Sequence, residues 1–139
     1  MALISSAVRL ARREALGVSV ATGLYGVSFG ALSVAAGLSV VQTIVLSLIM
    51  FSGGSQFAFV GVVAAGGGGP AAVATGALVG VRNALYGARM APLLGVRGPR
   101  RLLAAQLTID ESTAVATAQS EQRAVREGFW WTGVGIYVL

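Results

Sequence analysis

The sequence predicts an all-α fold: a polytopic helical membrane protein whose second hydrophobic segment is either glycine-broken or re-entrant. Hydrophobic residues make up 55% of the 139-residue chain, and charged residues make up 11%. Residues 15–81 contain no charged side chain, although one membrane-spanning helix needs only about 20 apolar residues. Adjacent glycines weaken a helix, so we expect a break at the one small and polar stretch of this region, Phe51-Ser52-Gly53-Gly54-Ser55-Gln56-Phe57.

The composition excludes several classes of site and partner. All ten basic residues are arginines, and the chain has no histidine and no cysteine. Disulfides, thiol chemistry and the usual zinc sites are therefore excluded, and we expect no enzyme, no metal site and no cofactor. The arginines flank apolar segments without interleaved aromatic residues, which is typical of topology determinants in a lipid bilayer rather than of a nucleic-acid surface.

The first 14 residues form a basic amphipathic segment, which we separate from a transmembrane domain at 15–139. Leu3, Ala7 and Leu10 share one helical face, while the arginines point elsewhere. This pattern indicates an interfacial helix on the cytoplasmic side of the membrane. Because no polar domain follows it, we expect a retained anchor rather than a cleaved signal.

The first predicted span covers residues 15–38. Gly26 and Gly30 have the small-xxx-small spacing that lets a second helix approach closely. We therefore expect these two glycines to mark a helix–helix contact. Tyr25, near the middle of the span, could face a cavity instead.

The second hydrophobic segment covers residues 39–65. A straight helix of this length would measure about 40 Å, which exceeds the roughly 30 Å hydrocarbon core of a bilayer. A break at Ser52-Gly53-Gly54-Ser55 divides the segment into two pieces of similar length. The segment is therefore either a long tilted helix with a break or a re-entrant hairpin with the glycine pair at its tip.

The third predicted helix, residues 71–94, carries Arg82, Asn83 and Tyr86. Only about 17 Å of helix would separate Pro70 from Arg82, so a spanning helix would place Arg82 inside the hydrocarbon zone. An arginine there costs about 2.5–3.5 kcal/mol on insertion scales, so it is expected to face protein and to have a partner. The alternative is that Arg82 snorkels to an interface.

A further helix is predicted at 102–120, with Asp110 and Glu111 at its centre between apolar flanks. Acidic residues in such a place are either partners of Arg82 or a proton-carrying site. The alternative is a surface helix with a solvated charged face, which the apolar flanks disfavour.

The arginines also predict a topology. Those at the N-terminus and those at 97–101 should both be cytoplasmic, so an even number of crossings must separate them. Three ordinary spans at 15–38, 39–65 and 71–94 would give an odd number. A re-entrant hairpin at 39–65 removes this conflict.

Several stretches of the chain, taken in order, are similar to those of a known family. They are Gly26-Val27-Ser28-Phe29-Gly30-Ala31-Leu32, Ala35-Ala36-Gly37-Leu38-Ser39, Phe51-Ser52-Gly53-Gly54-Ser55-Gln56-Phe57, Arg82-Asn83-Ala84-Leu85-Tyr86 and Thr108-Ile109-Asp110-Glu111. Together they resemble the AzlC family, the large subunit of the branched-chain amino acid exporters, from about residue 15 onward. Two positions depart from that family: Asn83 stands where it usually has histidine, and Ile109 separates Thr108 from the acidic pair.

The resemblance implies a function and a setting. It implies export of valine, leucine, isoleucine and their analogues, coupled to the proton gradient, together with a small AzlD-type membrane protein. It implies a multi-pass protein of the bacterial inner (plasma) membrane with a cytoplasmic N-terminus. Because the family is longer, it also implies that this sequence is an N-terminal portion with a transmembrane domain incomplete at its C-terminus.

Two groups of candidate residues follow. A zwitterionic substrate needs donors for its carboxylate, an acceptor for its ammonium and an apolar pocket, and the ends of a broken helix supply the first two. The substrate-binding candidates are Phe51, Ser52, Gly53, Gly54, Ser55, Gln56 and Phe57, with the two phenylalanines lining the pocket. The coupling or ion-pair candidates are Arg82, Asn83, Tyr86, Asp110 and Glu111.

The alternative function is a non-transporting membrane subunit or scaffold of a larger complex. A scaffold does not need Arg82, Asp110 and Glu111 to be buried together. Charge-neutral replacements at these positions would then be harmless, which distinguishes the two hypotheses.

Overall fold

The predicted all-α fold is confirmed by the computed structural model, which describes residues 5–139. Over these residues the chain forms seven α-helices in succession. They are α1 (Ser6–Ala35), α2 (Val40–Ile49), α3 (Gly53–Ala64), α4 (Gly69–Leu94), α5 (Pro99–Gln106), α6 (Asp110–Thr117) and α7 (Gln122–Val138). The chain divides into two compact units: unit 1 contains residues up to Gly23 and Leu85–Leu139, and unit 2 is Leu24–Ala84.

Among the described helices, α1 alone is long and apolar enough to cross a membrane. Its most apolar 18-residue window is only 17% buried, and large side chains such as Leu24 and Val27 are exposed. The shorter helices α2 and α3 are also apolar. Multi-pass insertion stays a prediction, since one such helix does not establish it.

Helix α1 runs from Ser6 to Ala35 without interruption, so the expected boundary at 14/15 falls inside a helix. The interfacial role of the N-terminal segment stays a prediction. Val8 and Ala11 are fully buried with Ala124 of α7, whereas Leu10 is 53% exposed. The packing of α7 decides which face is covered, and Leu3 lies outside the described residues.

The helix predicted at 102–120 is divided in two, which corrects the position of the acidic pair. Asp110 and Glu111 lie in the first turn of α6 rather than at the centre of a long helix. Ser112 explains the division: its hydroxyl accepts a hydrogen bond from the Ile109 N–H (3.1 Å) and donates to the Leu107 carbonyl (2.7 Å). Carboxylates at a helix N-terminus are favoured by the helix dipole.

In unit 2, the predicted break in the second hydrophobic segment is confirmed, at Met50–Ser52. The glycine pair lies just after it, in the first turn of α3. The preceding helix α2 begins at a capping box, in which Gln42 N–H donates to the Ser39 hydroxyl (3.2 Å) and Ser39 N–H donates to the Gln42 side chain (2.8 Å). Reciprocal capping of this kind satisfies two backbone donors that the first turn leaves without partners.

The segment doubles back at the break. A cavity of about 580 Å³ is bordered by Gly37 and Leu38, before α2, and by Gly67 and Gly69, after α3. A straight segment would place these two ends about 40 Å apart. A single cavity of this size therefore requires α2 and α3 to fold back on each other, as in the hairpin alternative.

The ends of α4 and the glycine contacts differ in part from the prediction. Helix α4 begins at Gly69, two residues before the predicted start, with Pro70 as its second residue, and it ends at Leu94 as predicted, so that Pro92 lies inside the helix. A Cβ atom added at Gly26 or Gly30 would meet nothing within 4 Å. Within the described residues, no helix contact forms at these two glycines.

Candidate functional site

The helix start that follows the break packs closely on α4. A Cβ atom at Gly76 would lie 3.2 Å from Met50 Cε and 3.3 Å from the Ser55 carbonyl oxygen, and one at Gly80 would lie 3.2 Å from Ser55 Oγ. Gly76 and Gly80 have the small-xxx-small spacing of a close helix contact. This contact fixes the first turn of α3 against the middle of α4.

Gly54 brings that first turn against the guanidinium of Arg82. A Cβ atom at Gly54 would overlap Arg82 Nη2, lie 3.2 Å from Arg82 Cζ and lie 3.4 Å from Val79 Cγ1. At Gly53, in contrast, an added Cβ would meet nothing within 4 Å. Of the two glycines, therefore, Gly54 is the one whose missing side chain makes room for the arginine.

The N-terminus of α3 and Arg82 together form an electropositive site. The first N–H groups of a helix have no partner within it, and the Ser52 side chain does not cap α3. These N–H groups and the helix dipole attract negative charge. A guanidinium against the same turn adds a full positive charge with a fork of donors that matches a carboxylate. The arrangement is suited to hold a carboxylate.

Gln56 spans the break. Its side-chain Nε2 donates to the Met50 carbonyl (2.6 Å) and contacts the Ser47 carbonyl at 3.4 Å, and the residue is 9% exposed. Ser52 N–H also donates to the Met50 carbonyl (2.8 Å). The amide nitrogen of Gln56 therefore joins the end of α2 to the start of α3, and a contact of Gln56 with substrate stays a prediction.

An aromatic cluster lies one turn further along α3. The Phe57 ring lies 4.7 Å from that of Tyr25 and 5.9 Å from that of Phe29, both on α1 and measured between centroids. Phe29 is buried, whereas Tyr25 is exposed. These three rings form an aromatic wall between α1 and α3, and Phe51 is half-buried in the break itself. A pocket role for Phe51 and Phe57 stays a prediction.

Helices α3 and α4 each carry a buried polar atom. The Ser55 hydroxyl oxygen and the Asn83 amide oxygen are buried without a hydrogen-bond partner. An unsatisfied buried polar atom costs free energy comparable to a lost hydrogen bond. In native proteins such atoms are uncommon, and a binding role is one of the reasons for which they are retained.

The remaining candidates lie in unit 1. Tyr86 is half-buried on the later part of α4, and Asp110 and Glu111 are half-buried at the start of α6. A pairing of either carboxylate with Arg82, which belongs to unit 2, stays a prediction.

Sequence reasoning found the glycine pair and the arginine but missed the residues that join them. Gly76, Gly80, Met50 and Phe29 were not among the candidates. The signal for the first two was present, because their spacing is the same as that of Gly26 and Gly30. Spacing alone does not tell which of two glycine pairs faces a neighbouring helix.

The comparisons with known proteins give one match. A protein-family model described as AzlC protein matches residues 17–139. No curated protein and no solved structure matches the chain significantly.

Proposed function

We propose that this chain, which belongs to the AzlC family, is a permease that exports branched-chain amino acids across the bacterial inner membrane. Membership of this family supports a role related to membrane transport. The finer proposal names the substrates as valine, leucine, isoleucine and analogues. It also includes coupling to the proton gradient and a small AzlD-type membrane subunit as partner.

The observation that carries the proposal is the contact between Gly54 and the guanidinium of Arg82 at the start of α3. Every α-amino acid presents a carboxylate, and this site combines helix N–H groups with a cationic donor fork. A broken helix with its N-terminus directed at an anionic substrate group is a recurrent arrangement in transporters. In this chain the break and the arginine come together in unit 2.

The other end of the break suits the ammonium group. The C-terminus of α2 precedes Met50, so it carries the negative end of that helix dipole, while the start of α3 carries the positive end. A zwitterion has the same two charges on neighbouring atoms. The break therefore offers opposite partial charges over a short distance, as an α-amino acid requires.

The side chain of the substrate would contact the aromatic wall of Phe57, Tyr25 and Phe29. Burial of apolar surface contributes about 25 cal/mol per Å², so a wall of rings favours a branched aliphatic side chain over a polar one. For proton coupling, we assign the proton to Asp110 or Glu111.

The experiment that tests the proposal is an efflux assay in cells that lack their own exporters. Cells expressing the full-length gene, with and without its small partner, are loaded with a valine- or leucine-containing dipeptide. The free amino acid is then followed inside and outside. Faster efflux with the pair is the expected result, whereas unchanged efflux with the protein present in the membrane would overturn the substrate assignment.

A further inference from the structure

A second cavity lies in unit 1, where the end of α4 meets α5. Its volume is about 540 Å³. None of the residues to which the proposed transport site is assigned lines it. The lining residues are Gly87, Ala88, Met90, Ala91, Leu94, Gly95, Val96, Arg97, Arg101, Ala104, Ala105 and Thr108.

The interior of this cavity is apolar and is bordered by small residues. Met90, Leu94 and Ala104 are buried, while Ala91 on α4 and Ala105 on α5 leave space between the two helices. The Thr108 hydroxyl donates to the Ala104 carbonyl (2.7 Å), so it adds no free donor. The cavity is therefore suited to hydrocarbon.

The rim of the cavity is cationic. Arg97 and Arg101 line it and are exposed, and within residues 5–139 neither forms an ion pair. A third guanidinium lies close by, because Arg126 Nη2 would be 3.3 Å from a Cβ atom at Gly95. Gly95 itself has φ +61° and ends α4 with its N–H donating to the Ala91 carbonyl (3.0 Å). None of the lining residues is acidic.

We infer that this cavity binds a phosphate-bearing amphiphile, with the phosphate on Arg97 and Arg101 and an acyl chain between α4 and α5. Arginine is favoured at phosphate sites because its planar fork pairs with two phosphate oxygens. Basic pockets between helices on the cytoplasmic side of a membrane bind anionic headgroups, and the arginine-rich loop between α4 and α5 predicts that side. The ligand we assign is an anionic phospholipid of the inner leaflet.

The inference is independent of the substrate assigned above. A zwitterionic amino acid has no net charge to engage two or three guanidiniums, and it has no chain to fill an apolar cavity of this size. The inference does use the membrane setting of the family. A free phosphate ion has the same charged group as a phospholipid headgroup, but it would contact only the arginines at the rim of the cavity.

The test is lipid retention by the purified full-length protein, measured by native mass spectrometry. The protein is released from mixed micelles that contain equal amounts of phosphatidylglycerol and phosphatidylcholine. We expect preferential retention of phosphatidylglycerol, reduced about fivefold by each of Arg97→Gln and Arg101→Gln, since one arginine near an anionic headgroup contributes about that factor. Equal retention of the two lipids would overturn the inference.

Two further variants test whether the lipid binds in the cavity or to the basic surface in general. Arg100→Gln is the matched control, because Arg100 is an exposed neighbour of Arg101 that does not line the cavity. It should leave the preference nearly unchanged, and an equal loss in this variant would contradict the site. Ala105→Leu fills the space without changing charge, and it should lower phosphatidylglycerol retention while helix content by circular dichroism stays the same.

Competition by inorganic phosphate identifies the source of the ligand. If millimolar phosphate displaces the lipid from the wild-type protein and from Ala105→Leu alike, the site is one for free phosphate and the lipid assignment is wrong. If phosphate leaves the lipid in place, the acyl chain contributes to binding and the lipid assignment is supported.

Discussion

Two polar arrangements, one in each unit, differ in how their side chains find hydrogen-bond partners. In unit 1, Arg12 and Glu127 form an ion pair (2.9 Å), Trp131 Nε1 donates to the same carboxylate (3.0 Å), and Ser5 donates to Glu121 (2.9 Å). In unit 2, the hydroxyl of Ser55 is buried without a partner at the α3–α4 contact. A network whose members satisfy one another joins helices, whereas a buried polar atom without a partner is uncommon and needs an explanation, for which we propose a ligand at Ser55.

The two arrangements also differ in the surroundings of their arginines. The guanidinium of Arg12 is held by a carboxylate and lies 5.4 Å from the Trp131 ring centroid, so its charge is used within unit 1. The guanidinium of Arg82 lies against the first turn of α3, where the helix dipole is also positive. Both groups favour a negative charge at this point, and we assign the substrate carboxylate to it.

The largest effect is expected from removing the charge of Arg82. Arg82→Gln should lower export by roughly 10- to 150-fold, because a hydrogen bond to a charged group contributes about 1.5–3 kcal/mol. Efflux of free leucine from dipeptide-loaded cells measures it, with membrane levels checked by immunoblot. Arg89→Gln is the matched control, since Arg89 is an exposed arginine of the same helix. Full export by Arg82→Gln would favour the scaffold alternative.

A smaller effect on export is expected at the glycine pair. Gly54→Ala should lower export roughly tenfold, the equivalent of one weakened charge-assisted hydrogen bond, because its Cβ displaces the Arg82 guanidinium. The fold should persist, since the displaced atoms are the end of a flexible side chain. Gly53→Ala has open space for its Cβ and should export normally; equal losses in both variants would contradict the contact.

A third substitution tests the close packing in unit 2 through its effect on protein stability. Gly76→Ala places a Cβ atom 3.3 Å from the Ser55 carbonyl and 3.2 Å from Met50 Cε, and overpacking of this kind costs about 1–3 kcal/mol. Gly26→Ala meets no neighbour and should gain about 0.5–1 kcal/mol from reduced backbone freedom. Thermal unfolding in detergent measures both, and similar shifts in the two variants would argue against close packing at Gly76.

The sequence was sufficient to predict features that depend on neighbours along the chain. The all-α fold follows from composition, and the adjacent glycines with their flanking serines predict a break at Ser52–Ser55, which the structure places at Met50–Ser52. The doubling back was one of two predicted alternatives, because segment length excluded a straight span. These predictions needed only helix geometry and the thickness of a bilayer.

Features that depend on distant neighbours were not predicted. Local periodicity does not show that Val8 is buried, because its contact is with Ala124, more than 100 residues further along the chain. Similarly, Ser112 divides the helix predicted at 102–120 through bonds of its hydroxyl to the backbone. Serine is compatible with a helix interior or with a helix start, so composition does not choose between them.

The smallest effect is expected in the network of unit 1. Arg12→Gln should lower stability by about 0.2–1 kcal/mol, the usual contribution of a partly exposed ion pair, since the side chains are 32% and 22% exposed. A double-mutant cycle with Glu127→Gln, read from thermal unfolding, isolates the pair, and Arg13→Gln serves as an exposed control. Export should be unchanged, because the charge of Arg12 is already balanced within unit 1. If Arg12→Gln lost as much export as Arg82→Gln, this network would act on the transport site. That result would contradict the distinction between a structural arrangement in unit 1 and a ligand-binding arrangement in unit 2.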